Sequence, residues 1–177
     1  ITHPERVEKL VILNMPHPNV FREHLKKNPV QRKKSSYILG LQLPFLPEWK
    51  MRRDNWRLPA RSLRDTARPG TFTDADLALY REAWGQPGAV TGMLNWYRAA
   101  LRARPATPAS VRVQMPTLLL WGARDPFLGS EMAQPSIERC RDGRLVFLPE
   151  ATHWVQHEEP AEVNRRIEEF FRSIPTH

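Results

Sequence analysis

Apolar residues cluster in three short runs, and each run ends at residues that favour turns. The runs cover 7–13 (Val-Glu-Lys-Leu-Val-Ile-Leu), 117–121 and 145–148. Runs of this length and character are typical of buried strands. Segments of helical length follow the second and third runs, at 130–141 and 160–172. Because strands that alternate with helices pair in parallel through right-handed crossovers, the pattern predicts an α/β fold with a parallel sheet.

The segment 160–172 has the clearest helical pattern. Pro160 stands in its first turn, where the fixed φ of proline suits a helix. Val163, Ile167, Phe170 and Phe171 recur at the spacing of one helix face. We therefore expect this face to pack against the sheet.

A long segment of different character, 19–112, separates the first two runs. It is rich in Trp, Pro and Arg and shows helical spacing, for example after the Thr-Asp-Ala-Asp at 73–76. Breaks at 44–47, 68–70 and 105–108 divide it. A crossover needs only about a dozen residues, so we interpret 19–112 as an inserted helical subdomain over the strand ends. Residues 1–18 and 113–177 then form the core.

Bulk composition excludes several classes of protein. The formal charge of +8 is spread through predicted helices beside acidic residues, without the basic stripe or metal finger that would indicate a nucleic-acid partner. No apolar run reaches the roughly 18 residues that a membrane span requires. A single cysteine excludes an internal disulfide and fits a reducing compartment, so we expect a cytoplasmic protein.

An aspartate and a histidine follow two of the predicted strands directly. Asp125 comes after the Leu-Leu-Leu-Trp-Gly run, and His153 comes after the run at 145–148. Ligands of open parallel sheets bind at the carboxyl ends of the strands. A carboxylate that holds one ring nitrogen of a histidine leaves the other nitrogen free to take a proton. Each residue alone is also common as a turn aspartate or a structural histidine, but the pair predicts the acid and base of a catalytic triad.

Five motifs together resemble the carboxyl-terminal half of an epoxide hydrolase of the α/β-hydrolase superfamily. They are 118–125, 151–156, 10–18 (Leu-Val-Ile-Leu-Asn-Met-Pro-His-Pro), 41–44 (Leu-Gln-Leu-Pro) and 95–98 (Asn-Trp-Tyr-Arg). The resemblance covers essentially the whole chain. It implies an eight-stranded sheet with a helical cap inserted after strand six, of which this chain holds strands six to eight and the cap.

The resemblance also implies roles for particular residues. Asp125 is the orienting acid, His153 is the general base, and the Tyr97 hydroxyl binds the epoxide oxygen. A phenol suits that role because it donates a hydrogen bond without ionising near neutral pH. Trp96, Trp154, Tyr37 and His17 are candidate substrate-binding residues, although core packing or backbone capping would also account for them. Gly40 occupies the usual position of a second cap tyrosine, for which Tyr37 is a possible substitute.

The nucleophile of the family is missing from the chain. The family uses an aspartate in a Gly-x-Asp-x-Gly elbow, whereas Gly88 and Gly92 flank Val90 and no other glycines stand four apart. The chain also begins at Ile1 without Met. We therefore expect a piece of a longer protein, in which the missing amino-terminal half carries the nucleophile, and we expect the piece alone to be inactive.

Two other functions remain open. A haloalkane or haloacid dehalogenase of the same fold uses the same acid and base but binds a halide in place of the epoxide oxygen. A noncatalytic fragment or interaction module needs no nucleophile. The epoxide chemistry requires no cofactor and no metal, and its partner is a small hydrophobic substrate.

Overall fold

The computed structural model describes residues 3–102 and 112–173. The chain divides into two compact units, which we call the sheet unit (Ile1–Lys34 and Ala106–His177) and the helical unit (Ser35–Pro105). The predicted core boundary after residue 18 therefore falls inside the sheet unit. The predicted break at 105–108 lies outside the described residues.

The sheet unit contains a parallel three-stranded sheet in the order β1 (Leu10–Leu13), β2 (Thr117–Gly122), β3 (Gly143–Leu148). Leu13 lies opposite Leu120, and Leu120 lies opposite Val146. The predicted parallel α/β arrangement is confirmed. The first strand is shorter than predicted, because the backbone N–H of Val7 closes a 3-10 turn onto the Pro4 carbonyl instead of joining the sheet.

Helices occupy much of the rest of the described chain. Their bounds are α1 Pro18–Lys27, α2 Pro29–Lys34, α3 Tyr37–Gly40, α4 Leu46–Thr66, α5 Asp74–Gly85, α6 Ala89–Arg102, α7 Ala133–Ile137, α8 Val155–Glu158 and α9 Pro160–Arg172. Within residues 3–102 and 112–173, no helix is both long and apolar enough to cross a lipid bilayer.

Apolar side chains cover both faces of β2, which is buried along its whole length. On one face Leu119 and Trp121 join a core that α1 and α7 complete. On the other face Leu118 and Leu120 pack with side chains from α8 and α9. Removal of these side chains from water supplies about 1.5–3 kcal/mol each, so the central strand fixes the two-sided architecture.

Two helix predictions need correction. On α9, Val163 and Phe170 are buried, whereas Phe171 is 55% exposed because it lies at the edge of the apolar face. The helix predicted over 130–141 ends at Ile137. Beyond that point the backbone pairs with Val113, whose N–H donates to the Arg139 carbonyl, and this pairing replaces further helical bonds.

In the helical unit, α4 begins at Leu46 and ends at Thr66, close to the predicted breaks at 44–47 and 68–70. Thr73 caps α5 in a reciprocal box: its hydroxyl accepts from the Asp76 N–H at 3.2 Å, and the Asp76 carboxylate accepts from the Thr73 N–H at 2.9 Å. The Arg98 guanidinium on α6 donates to the carbonyls of Leu41 and Leu43 at 3.1 and 2.8 Å. It also forms a two-pronged bond with Glu48 on α4 at 2.7 and 3.1 Å. Arg98 therefore holds the turn between α3 and α4 onto α6.

Candidate active site

Asp125 lies in the loop after β2, and its side chain is fully buried. Its Oδ1 accepts from the backbone N–H groups of Phe127 and Leu128 at 2.7 and 2.9 Å. Its Oδ2 accepts from Asn14 Nδ2 and meets His153 Nδ1, both at 2.7 Å. An ionised carboxylate accepts about four hydrogen bonds, so the protein uses the full capacity of this one and fixes its orientation.

His153 follows β3 and meets Asp125 as predicted, with 2.7 Å between Nδ1 and Oδ2. With Oδ2 as the acceptor, this contact favours the tautomer that carries its proton on Nδ1 and has its lone pair on Nε2. The imidazole side chain is 30% exposed, whereas its carboxylate partner is fully buried. The rings of Phe127 and Trp154 contact the imidazole edge-to-face at 5.2 and 5.3 Å between centroids. These contacts together fix the orientation of the imidazole ring.

Asn14, at the end of β1, belongs to the same cluster and was not predicted. Its Nδ2 donates to Asp125 Oδ2 and to the Thr152 carbonyl, at 2.7 and 3.0 Å. Its Oδ1 accepts from the Gly122 N–H at 2.8 Å. The signal in the sequence was an asparagine directly after an apolar strand, at the same sheet edge as Asp125 and His153.

The backbone segments that lead into Asp125 and His153 are closely packed against each other. At the end of β2, a Cβ on Gly122 would collide with the Thr152 carbonyl oxygen, so this position requires glycine. Thr152 itself is held by Glu158: its N–H and hydroxyl donate to the two carboxylate oxygens at 2.5 and 2.6 Å. Glu158 therefore holds both the backbone and the side chain of the residue before His153.

The loop that carries Asp125 is anchored to α2. The buried side chain of Gln31 donates to the Phe127 carbonyl at 2.9 Å and accepts from the Gly129 N–H at 3.0 Å. Lys34 donates to the Asp125 carbonyl at 3.3 Å. Through these bonds α2 supports the loop of Asp125, although α2 lies in the segment that was predicted as the cap.

His17, a predicted substrate-binding residue, caps α1. Its Nδ1 accepts from the Asn19 N–H at 3.2 Å, and its own N–H donates to the Ser136 hydroxyl at 2.9 Å. The residue is 7% exposed. These contacts account for His17 as a capping residue, and a role in substrate binding stays a prediction. The other candidate of the sheet unit, Trp154, stands against the His153 ring.

The remaining candidates lie in the helical unit. The rings of Tyr37 and Tyr97 contact each other edge-to-face, with centroids 6.1 Å apart. Both are partly exposed, at 44% and 38%, and Trp96 is 79% exposed. Gln42 donates to the Tyr97 carbonyl at 3.3 Å. The two tyrosines are thus neighbours, and the function of each stays a prediction.

The Arg98–Glu48 pair gives the helical unit its clearest electrostatic feature. The two side chains are only 13% and 12% exposed. The guanidinium of Arg98 lowers the pKa of the Glu48 carboxyl below its usual range, against the effect of burial, which raises it. The charged pair is therefore a structural clamp of this unit.

Known proteins resemble this chain along nearly all its length. Residues 16–166 match the family described as the alpha/beta hydrolase family. The AB hydrolase superfamily protein YfhM of Bacillus subtilis is 41% identical over 97% of this chain and 60% of its own length. Human epoxide hydrolase 4 is 36% identical over 97% of this chain and 49% of its own length. This chain therefore spans about half to three fifths of these two relatives.

A solved structure has the same fold. The epoxide hydrolase of Bacillus megaterium, in its crystal structure with an inhibitor, superposes with a TM-score of 0.80 at 29% identity. The superposition covers 97% of this chain and 63% of the Bacillus megaterium chain. A parallel three-stranded sheet with helices on both faces is thus consistent with part of a larger hydrolase sheet.

Proposed function

We propose that this chain, which belongs to the alpha/beta hydrolase family, supplies the acid and the base of an enzyme that opens epoxides to vicinal diols. The observation that carries the proposal is the 2.7 Å contact between the buried Asp125 carboxylate and His153 Nδ1. Relatives named as epoxide hydrolases, such as the human protein at 36% identity, support the choice of substrate.

In this proposal the nucleophile is an aspartate carboxylate outside the chain. It attacks one epoxide carbon, the carbon–oxygen bond of the ring breaks, and an alkyl ester forms. The Tyr97 hydroxyl donates its proton to the alkoxide oxygen as that bond breaks. Tyr37, whose ring contacts Tyr97, is the candidate second donor.

His153 acts in the second step. Its Nε2 takes a proton from a water molecule, and the resulting hydroxide adds to the ester carbonyl. Collapse of the tetrahedral intermediate releases the diol and restores the nucleophilic carboxylate. The proton on the imidazolium returns to the tyrosine oxygen through solvent, so protons balance over the cycle. Asp125 stabilises the imidazolium while it lasts.

The test uses the protein as its gene encodes it, with any sequence that precedes Ile1. We expect turnover of styrene oxide, and we expect Asp125→Asn, His153→Gln and Tyr97→Phe to reduce it. Tyr80→Phe is a matched control, since Tyr80 packs against Phe72 and Trp84 in the helical unit. In ¹⁸O-water, a single turnover of an ester mechanism places unlabelled oxygen in the diol and label in the nucleophilic carboxylate.

The same assays separate the rival functions. Release of halide from 1-chlorobutane without epoxide turnover would favour the dehalogenase. Turnover of neither probe by a folded protein would favour a noncatalytic module. Label that appears in the diol already in the first turnover would contradict the ester intermediate. Full epoxide activity in His153→Gln would contradict the assignment of the base.

A further inference from the structure

Asn14 makes a set of contacts that a strand-end turn does not require. The residue is buried, at 1% exposure, and its φ of 45° lies in the left-handed region. Asparagine tolerates that region better than most residues. Its carboxamide oxygen accepts one hydrogen bond and its nitrogen donates two, so both amide protons are used.

The three partners select a carboxamide. The Gly122 N–H needs an acceptor, whereas the Asp125 carboxylate and the Thr152 carbonyl both need donors. A carboxylate at position 14 would face Asp125 Oδ2 with a second negative oxygen at a distance near 2.7 Å. A flipped amide would leave the Gly122 N–H facing a donor. The partners therefore fix both the residue type and the orientation of the amide.

These contacts act on both members of the catalytic pair. Asn14 and His153 bind the same oxygen of Asp125, each at 2.7 Å. Two backbone N–H groups hold the other oxygen, so the Asn14 bond completes the restraint on carboxylate rotation. Through the Thr152 carbonyl, Asn14 also holds the residue that precedes His153. One amide thus aligns the acceptor and supports the loop that carries the donor.

We propose that Asn14 is a positioning residue that holds Asp125 and His153 in the hydrogen-bonded geometry that fixes the imidazole tautomer. The inference rests on the proposed function of the pair. A purely structural asparagine would affect stability alone. A positioning residue must also change the Nδ1–H bond of His153 when it is replaced.

The test compares ring-¹⁵N-histidine spectra of the encoded protein, with any sequence that precedes Ile1, and of its variants. Asn14→Gly keeps the backbone conformation accessible and removes the amide. Asn14→Asp keeps the shape and replaces the donor with an oxygen. Asn55→Gly is the matched control, since Asn55 also has a φ in the left-handed region, at 52°, and belongs to the helical unit. His153→Gln assigns the signal.

We expect a downfield, slowly exchanging Nδ1–H proton in the wild type and in Asn55→Gly. In both Asn14 variants it should be lost or moved, with the two ring nitrogens averaged between tautomers. kcat for styrene oxide should fall about 10- to 100-fold in these variants, with KM changed by less than about threefold. An unchanged Nδ1–H signal in a folded Asn14 variant would overturn the proposal.

A wild-type measurement guards against variants that fail to fold. Cross-peaks between the Asn14 amide protons and the His153 Nδ1 proton are expected, because both groups bond one oxygen. Their absence in the presence of an assigned Nδ1–H signal would also overturn the proposal. The spectra require no turnover, so a failure to hydrolyse epoxides would contradict the proposed function without deciding the role of Asn14.

Discussion

Replacement of Asp125 by asparagine is the sharpest test of the pair, because the change is nearly isosteric and the partners determine its outcome. Phe127 and Leu128 donate to one oxygen of Asp125, so the amide oxygen of the new side chain must stay there. The NH₂ group of that side chain then replaces the oxygen that accepts from Asn14 and His153. A donor would face two donors.

His153 has one way to relieve this conflict. It can move its proton to Nε2 and accept at Nδ1, which removes the lone pair that takes a proton from water. Asn14 cannot follow, because a turned amide would leave the Gly122 N–H unpaired. A buried polar group without a partner costs about 1–3 kcal/mol. We therefore expect the free energy of unfolding to fall by about that amount, and kcat to fall by about a thousandfold or more through the wrong tautomer.

The assay is styrene oxide hydrolysis by the encoded protein, with unfolding in urea measured in parallel. Asp65→Asn is the control, since Asp65 is exposed and pairs with Arg61 on the surface of α4. We expect that variant to keep wild-type kcat and stability. A folded Asp125→Asn protein whose kcat stays within about tenfold of the wild type would refute the reasoning, because the base would then work without its oriented tautomer.

Variants at three other positions test particular contacts. Tyr97→Phe should reduce kcat/KM for styrene oxide by about a hundredfold, while equal activity in both proteins would remove Tyr97 from the mechanism. Glu158→Ala leaves the Thr152 N–H without its carboxylate, so unfolding in urea should show a loss of about 1–3 kcal/mol, which Glu158→Gln should largely restore. Since Arg98 lowers the pKa of Glu48, this clamp contributes stability above the unfolded pKa and loses it as the pH falls through the folded pKa. As the pH is lowered, the melting temperature should therefore fall more steeply for the wild type than for Glu48→Gln. Parallel curves of melting temperature against pH would contradict the clamp.

The proximity of Asp125 and His153 could be predicted from the sequence because strand ends fix the positions of both residues. Asp125 and His153 each follow an apolar run, and parallel pairing brings such ends to one edge without knowledge of any tertiary contact. Asn14 follows the first run in the same way and was missed. An asparagine after a strand is common in turns, and only the coordinates reveal that its amide faces a carboxylate instead of solvent.

Other errors have local causes. Val7 was predicted as part of a strand because the apolar pattern contains no information about the bond from its N–H to the Pro4 carbonyl. In the Asn-Trp-Tyr-Arg motif at 95–98, the resemblance implies a role for Tyr97 but none for Arg98. Arg98 holds the unit together through Glu48 and two carbonyls distant in sequence. Long-range partners of this kind leave no periodic trace in the chain.

The hydrogen bonds that hold Asp125 and orient His153 all come from within this chain, yet the chain alone should be inert. Asp125 and His153 find all their described partners on the sheet unit, but residues 3–102 and 112–173 contain no Gly-x-Asp-x-Gly elbow. Among those residues β1 pairs with β2 along one edge, and no described strand pairs with its other edge. The strand has the apolar sequence Leu-Val-Ile-Leu. An unpaired apolar edge templates aggregation. Residues 1–177 expressed alone should therefore elute as aggregates in size-exclusion chromatography and leave styrene oxide intact. The protein as its gene encodes it, with any sequence that precedes Ile1, should elute at a defined size and hydrolyse styrene oxide. A monomer of the 177-residue chain that turned over epoxide would mean that the nucleophile lies within this sequence.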